Sequence, residues 1–364
     1  MPIKTKAALL EAKNQPLTVK EISLNPPKDR EVLVKVEMAG LCRSDLNAIV
    51  GHTRYDMPLV LGHEGAGTVV DIGPNVKSLK KGDRVVLSWA AFCGDCFFCN
   101  KGLTHQCHTV AWPRGKGLLP DWTTRFSDNG KEVFHFNGVS SFSEYTVVYE
   151  TGCVPIGNDI SFDVASVVGC SVVTGIGAVY NTANVPEGAT SLVVGGGNVG
   201  LSIIQALKIK GAGVIIAVDP NKEKWHAIAE AGADIVLPEI SMDEINKATG
   251  GFGVDYAFDG VATEETLNQS LAAVRRAGTV VMVGSPHPLA KYALSPIEFH
   301  LEKKIIGSLY GSSNPGRDIP RLLDFYRNGQ LKLDGFTTAS FSLDDINNAI
   351  KALEDSGGKY TITF

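Results

Sequence analysis

From Thr190 onward the chain alternates short apolar strands with stretches of helical periodicity, and nothing else in it constrains the fold so strongly. TSLVVGGG has the unbroken apolar character of a buried strand, and NVGLSIIQALKIKGA has helical spacing. GVIIAVD and KEKWHAIAEAGA repeat the pair, and VDYAFDG, TEETLNQSLAAVRRAG and TVVMVGSP continue it. Strands separated by helices of this length run parallel, because each connection must cross back over the sheet. The expected unit is a doubly wound α/β domain over residues 172–308. Upstream, EVLVKVEMA, AGTVVDIG and DRVVLSWA read as strands broken at Gly73-Pro74 and Gly82-Asp83, which predicts an irregular β-rich unit over residues 1–171. Beyond Tyr310 the alternation stops. PRLLDFYRNGQL and LDDINNAIKALEDSG read as helices and YTITF as a strand, so residues 309–364 are expected to return to the first unit. A length of 364 residues fits two such units.

The turn between the first strand and helix is Gly195-Gly196-Gly197-Asn198-Val199-Gly200, a G-x-G-x-x-G pattern. In a chain with 39 glycines the pattern alone is weak. Between a strand and a helix it aims backbone N–H groups and a helix N-terminus at a pyrophosphate. Asp219 ends the next strand, about 20 residues on, where a carboxylate accepts the adenosine ribose hydroxyls and repels a 2′-phosphate. NAD is therefore expected in preference to NADP. The plainer alternative is that Asp219 caps the following helix.

Cys93, Cys96, Cys99 and Cys107 make a C-x2-C-x2-C-x7-C cluster within about residues 91–110. Four thiolates complete a tetrahedral zinc shell and leave no open position, so this site reads as structural rather than catalytic. An iron–sulfur cluster uses the same ligands, and a disulfide pair is a further alternative. The N-terminus lacks an apolar run of signal-peptide type, and no uninterrupted apolar stretch reaches a membrane span. A cytoplasmic location, with no membrane partner, follows, and reduced thiols there favour metal over disulfides. The net charge of −5 provides no basic stripe for a nucleic-acid backbone. A zinc-ribbon nucleic-acid binder is likewise disfavoured, because GDCFFCNKG carries little positive charge.

Of the other cysteines, Cys153 reads as a small buried side chain. Cys42 in AGLCRSD, His63 in LGHEGAG and Cys170 in GCSVVTGIGA share no local spacing. In order, these segments together with the four-cysteine run, GVSSFSEYTVV and VVGGGNVG resemble the zinc-dependent medium-chain alcohol dehydrogenases. The similarity spans essentially the whole chain, through SGGKYTITF. It implies a GroES-like catalytic domain and a Rossmann coenzyme domain. It also implies two zinc ions per chain, with Cys42, His63 and Cys170 on the catalytic one and a fourth position open to substrate. Asp45 would fix the His63 tautomer, and Glu64 would be the acid able to approach the metal. The activity implied is reversible, NAD-linked oxidation of an alcohol to an aldehyde or ketone, in which zinc stabilises the alkoxide and hydride passes to nicotinamide. A glutathione-dependent formaldehyde reaction is the alternative within the family. A catalytically inactive member acting as a binding or regulatory protein is the alternative outside enzymes.

The resemblance makes Ser44 the hydroxyl that opens the proton relay. The relay histidine of relatives is replaced by Asn47, which cannot take up a proton. Arg43 and Lys359 match pyrophosphate contacts, with Lys359 in place of the usual arginine. Lys224 matches a lysine on the adenosine ribose, or is a solvated helix charge. Thr174, Val199 and Val283 match positions around the nicotinamide, although Val199 and Val283 suit a plain core role equally well. Trp89 and Phe136 match substrate-flanking positions. Relatives assemble as dimers or tetramers through the coenzyme domain, so a homo-oligomer using TVVMVGSP and the segment after it is expected.

Overall fold

The computed structural model describes residues 1–53 and 55–364. Two compact units are present. One comprises Met1–Cys170, Asn314–Leu323 and Leu333–Phe364; the other comprises Ser171–Ser313 and Asp324–Lys332.

The first unit is built on Glu31–Leu41, the EVLVKVEMA segment, whose buried residues face a core with Leu59, Leu61, Phe136 and Ile362. This strand pairs antiparallel with Glu64–Ile72, Tyr145–Tyr149 and the C-terminal Tyr360–Thr363. Arg84–Ser88 and Cys153–Ile156 extend the sheet on one side, and Ala339–Ser342 on the other. Backbone pairing thus joins Tyr360–Thr363 to the central strand of this sheet. A separate closed barrel contains Ile3–Leu10, Thr18–Leu24, Phe126–Asp128, Lys131–His135 and Leu59–Val60.

The registers put several strand ends at one place. Gly40 pairs with Glu64, Glu64 with Ser88, and Leu41 with Tyr360. Cys42, His63, Trp89 and Lys359 each lie just beyond one of these paired residues, so four distant segments meet at the same sheet end.

The second unit is a six-stranded sheet in the order Ile235–Leu237, Ile215–Val218, Ser191–Val194, Val254–Asp259, Val274–Met282 and Lys304–Gly307. Every pair is parallel. Strand order reverses between Ser191–Val194 and Val254–Asp259, which is the ligand crevice of a doubly wound sheet. The glycine loop leaves the C-terminal end of Ser191–Val194, beside that crevice.

Among the described residues one run of helix, Phe162–Thr182, is long and apolar enough to cross a membrane, with mean hydropathy 1.8 over its window. It is 78% buried within the protein, as a core helix would be. Its Val168–Val172 segment has π-helical turns, a local widening common at functional sites. The second residue of that segment is Gly169, where a Cβ would stand 2.1 Å from the Leu87 carbonyl oxygen. Only glycine lets the helix close on the Arg84–Ser88 strand, and Cys170 follows at once.

Candidate active site and metal centres

Cys42, His63 and Cys170 present ligand atoms that all lie within 4.8 Å of one another. Cys170 Sγ stands 3.4 Å from His63 Nε2. Tetrahedral zinc with bonds of about 2.3 Å to sulfur and 2.0–2.1 Å to nitrogen sets this edge at about 3.6 Å, so the donors fit that ion. The other ring nitrogen, Nδ1, is 3.2 Å from Asp45 Oδ1. Asp45 is fully buried and also accepts the backbone N–H groups of Cys42 at 3.0 Å and Gly62 at 3.2 Å. Burial disfavours a charged His63, but Asp45 and the Cys42 sulfur outweigh it and raise the imidazole to about 10. A hydrogen bond from Cys170 holds the Cys42 thiol well below its ordinary value, and the same bond together with burial holds Cys170 well above it. The cluster thus keeps protons where a dication would displace them.

The second cluster is a thiol tetrad. Cys96 Sγ is 3.5 Å from Cys99 Sγ and 3.8 Å from Cys107 Sγ, and Cys93 Sγ is 3.9 Å from Cys99 Sγ. Zinc–sulfur bonds of about 2.3 Å give a tetrahedral S···S edge of about 3.8 Å. A disulfide needs about 2.05 Å, and thiolates on the corners of an iron–sulfur cube stand farther apart than these. Burial opposes ionisation of Cys96, but N–H groups of Cys99 and Phe98 bring it down to about 6. Burial and the neighbouring thiols push Cys99 up to about 12. Four thiolates coexist here only around a cation.

At the glycine loop, the Gly196 N–H donates to Asp219 Oδ2 at 2.8 Å, and Lys224 Nζ lies 3.7 Å from the same oxygen. Asp219 Oδ1 accepts the Asn221 N–H, while Asn221, not Asp219, caps the following turn. A Cβ on Gly200 would meet the Gly195 carbonyl at 1.8 Å, so helix Asn198–Ile209 packs against its own incoming strand only with glycine there. Gly197 faces open space, and Asn198 Nδ2 is buried without a hydrogen-bond partner among the described residues. An open loop with an orphaned donor suits a phosphate ligand.

Residues 28–158 match the family described as alcohol dehydrogenase GroES-like domain, and residues 198–328 match zinc-binding dehydrogenase. An S-(hydroxymethyl)glutathione dehydrogenase of Escherichia coli O1:K1 is 36% identical over 99% of both chains. Benzyl alcohol dehydrogenase of Acinetobacter calcoaceticus is 30% identical, with a TM-score of 0.93 over 100% of this chain and 99% of that one. A short chain alcohol dehydrogenase of E. coli CFT073, solved with NADH, is 25% identical, with a TM-score of 0.81 over 99% of each. The chain belongs to the zinc-containing alcohol dehydrogenases. It is an oxidoreductase of that medium-chain family, with zinc and NAD as the family's cofactors.

Within this dehydrogenase, Ser44 lies in the first turn of helix Arg43–Ile49, with Oγ 3.9 Å from Cys42 Sγ. Arg43 beside it is exposed. Phe136 packs edge-on against the His63 ring at 5.6 Å, and Trp89 hydrogen-bonds the Cys170 sulfur. Thr174 is buried in Val173–Gly177, and a Cβ on the next residue, Gly175, would stand 2.5 Å from the Val199 carbonyl, so only glycine lets the two helices approach there. Val283 is half-buried, its N–H bonded to Asp259 O at 2.9 Å.

Lys359 differs from its expected pyrophosphate contact. It is 5% exposed, and its ammonium points inward to the Glu64 carboxylate and the Leu41 carbonyl. The Leu41–Tyr360 register dictates this, and two of its three N–H bonds are used there. Burial lowers Lys359 to about 8, against the pull of Cys42 and Asp45. Glu64 Oε1 is held by that pair, while Oε2 is buried without a hydrogen-bond partner among the described residues. Sequence reasoning missed this ion pair, and it missed Tyr55, Asn137 and Arg114. Tyr55 packs on Phe136 at 5.2 Å, and its hydroxyl donates to Asn137 Oδ1 at 3.1 Å. No short motif marks any of the three.

Proposed function

We propose that the enzyme reversibly oxidises an apolar or aromatic alcohol to its aldehyde or ketone with NAD. One observation carries this reading: an aromatic wall of Phe136, Tyr55 and Trp89 adjoins the Cys42–His63–Cys170 ligand set. Zinc held by those ligands supplies a Lewis acid that acidifies the alcohol, and NAD supplies the hydride acceptor. The chain's own residues do the rest. Asp45 keeps the proton on His63 Nδ1 and leaves Nε2 free to ligate. Ser44, beside Cys42, accepts the substrate hydroxyl proton and passes it outward. Asn47, one turn on, cannot hold it, so water is the final acceptor. Phe136 and Trp89 exclude water from the reacting carbon. Glu64, held by Lys359, puts negative charge behind the ligand set. In the second unit Gly195, Gly197, Asn198 and Gly200 cradle the pyrophosphate, and Asp219 with Lys224 holds the ribose and disfavours NADP; Arg43, exposed in the first unit, is by resemblance a pyrophosphate contact. Thr174, Val199 and Val283 pack around the nicotinamide.

A second reading, oxidation of S-(hydroxymethyl)glutathione, is favoured by the 36%-identical relatives of that name. NADH formation with benzyl alcohol, set against formaldehyde plus glutathione, separates the two when zinc is measured on the same sample. Turnover restricted to the glutathione mixture would transfer the assignment, and no turnover with zinc at both sites would leave a binding role.

We also infer a homodimer or homotetramer joined through the second unit. Lys304–Gly307 is an edge strand beside Val274–Met282, and Leu289, Ile297, Phe299 and Leu309 nearby in sequence are exposed. A cytoplasmic location fits seven unpaired cysteines.

A further inference from the structure

Asp219, the acid assigned above to the ribose, is held at every polar atom it has. Its N–H donates to the Leu237 carbonyl at 3.1 Å, Oδ1 accepts the Asn221 N–H at 2.9 Å, and Oδ2 accepts the Gly196 N–H at 2.8 Å. The fourth atom, its carbonyl oxygen, takes a side chain: the indole N–H of Trp225 donates to it at 2.9 Å. Trp225 opens the short helix Trp225–Glu230, and Ile228, three residues on and so on the same face, meets the glycine loop. A Cβ on Gly196 would stand 2.3 Å from Ile228 Cδ1 and 3.2 Å from Asp219 Oδ2. One helix face therefore touches both the acid and the loop.

The indole bond restrains the backbone angle that the sheet leaves open. Pairing of the Asp219 N–H with Leu237 restrains φ. The next residue is Pro220, which has no N–H, and the Asp219–Pro220 peptide lies beyond Val218, the last residue of strand Ile215–Val218. The Trp225 N–H holds that peptide plane, and with it ψ of Asp219. The Asn221 N–H lies beyond the same peptide, so its bond to Oδ1 depends on ψ as well. A turn of the plane releases Oδ1 and leaves the carboxylate hinged on Gly196 and Lys224. Coulomb repulsion falls with distance, so a carboxylate free to turn away discriminates less than one held in place.

We infer that Trp225 is a positioning residue for cofactor choice: its indole N–H aims the Asp219 carboxylate and so sharpens discrimination against a 2′-phosphate. This rests on the NAD reading of Asp219. Trp225 acts only through the acid, and no chemical step changes.

Calorimetric titration of the zinc-loaded protein with ADP-ribose and with its 2′-phosphate reads the discrimination as a ratio of Kd values, without turnover. The wild type is expected to favour ADP-ribose. Trp225→Phe keeps a ring for Lys222, whose ammonium lies 5.7 Å from the centre of the Trp225 ring, and removes the N–H. The ratio should then fall about threefold to tenfold, the range of one neutral hydrogen bond. Trp225→His, measured at about pH 8 where imidazole is neutral, should restore most of it. Its Nε2, like Nε1 of tryptophan, stands two bonds from Cγ in a five-membered ring. In the Asp219→Asn background Trp225→Phe should leave the ratio unchanged. A fall in that background overturns the inference, as does equal weakening of both ligands or equal loss of the ratio in Trp225→Phe and Trp225→His. A Trp225→Phe chain that does not fold makes Trp225 a structural residue and overturns it too. A wild type that does not favour ADP-ribose overturns the NAD reading and this inference with it; a wild-type preference that Trp225→Phe leaves intact overturns this inference alone.

Discussion

The Asp45 carboxylate stands 3.2 Å from His63 Nδ1 while its second oxygen accepts the backbone N–H of Cys42 at 3.0 Å. One buried acid therefore fixes the ring of one zinc ligand and the main chain of another. In Asp45→Asn an amide replaces the charge that holds the His63 proton on Nδ1. Retention of catalytic zinc against a chelator should fall about tenfold to hundredfold, and kcat/KM with it. Zinc per chain after dialysis measures the first effect. Undiminished retention would mean that Asp45 serves only as the cap of helix Arg43–Ile49.

The thiol tetrad leaves no open coordination position, and its loss is expected to act through stability. Cys96→Ser removes the sulfur that contacts both Cys99 and Cys107. We expect one zinc per chain in place of two, and a thermal transition lower by on the order of 10 °C. Turnover per folded chain, measured below that transition, should persist. Lost turnover in a fully folded variant would return the lobe to the chemistry.

What could be read from the sequence divides along the distance over which each signal acts. The tetrad and the glycine loop are local, since their spacing alone brings the ligand atoms together. The doubly wound sheet was legible because its strand–helix alternation persists over many turns of chain. Cys42, His63 and Cys170 have no such spacing. The Gly40–Glu64–Ser88 pairing and the approach allowed by Gly169 bring them together, so only resemblance to a family could name them. The same holds for Lys359. Resemblance gave its position, but its partner depends on the pairing of Tyr360 with Leu41. Tyr55 and Asn137 lie in loops and Arg114 closes a helix of only about two turns, so none of the three stands in a stretch with periodicity.

Asp219 has two functions that one substitution separates. Its Oδ2 anchors the Gly196 N–H at 2.8 Å, and the proposed function gives its charge to the cofactor ribose. Asp219→Asn keeps an acceptor for Gly196 and removes the repulsion of a 2′-phosphate. The ratio of kcat/KM for NAD over NADP should fall at least about tenfold, the worth of one charged hydrogen bond. An unchanged ratio would confine Asp219 to holding the loop.

Under the proposed mechanism the proton relay meets Asn47, whose amide cannot take up a proton. Its backbone carbonyl accepts the His52 N–H at 2.8 Å, a bond that does not depend on its side chain and survives the substitution. Asn47→His should add a titration near pH 6.5 to the kcat profile, with the rate rising as the imidazole loses its proton and becomes a base. The profile is measured with saturating NAD and alcohol. Superimposable wild-type and variant curves would show that water serves the relay equally well.

His135 should govern part of the acid sensitivity of the first unit. It is fully buried; its Nε2 accepts the Arg125 N–H at 3.3 Å, and Nδ1 has no partner among the described residues. Burial, reinforced by the Arg125 guanidinium, lowers its pKa to about 3. Above pH 6.5 neither the folded nor the unfolded chain protonates this ring, so it gives stability no pH dependence. Between about 6.5 and 3 only the unfolded chain takes up the proton. Stability therefore falls as pH falls, by up to about 1.4 kcal/mol per pH unit from this group, and levels off below 3. His135→Gln keeps an acceptor for Arg125 and removes the titration. Urea unfolding at a series of pH values should give the variant a shallower slope through that window than the wild type. Parallel slopes would show that the ring is already protonated in the folded chain.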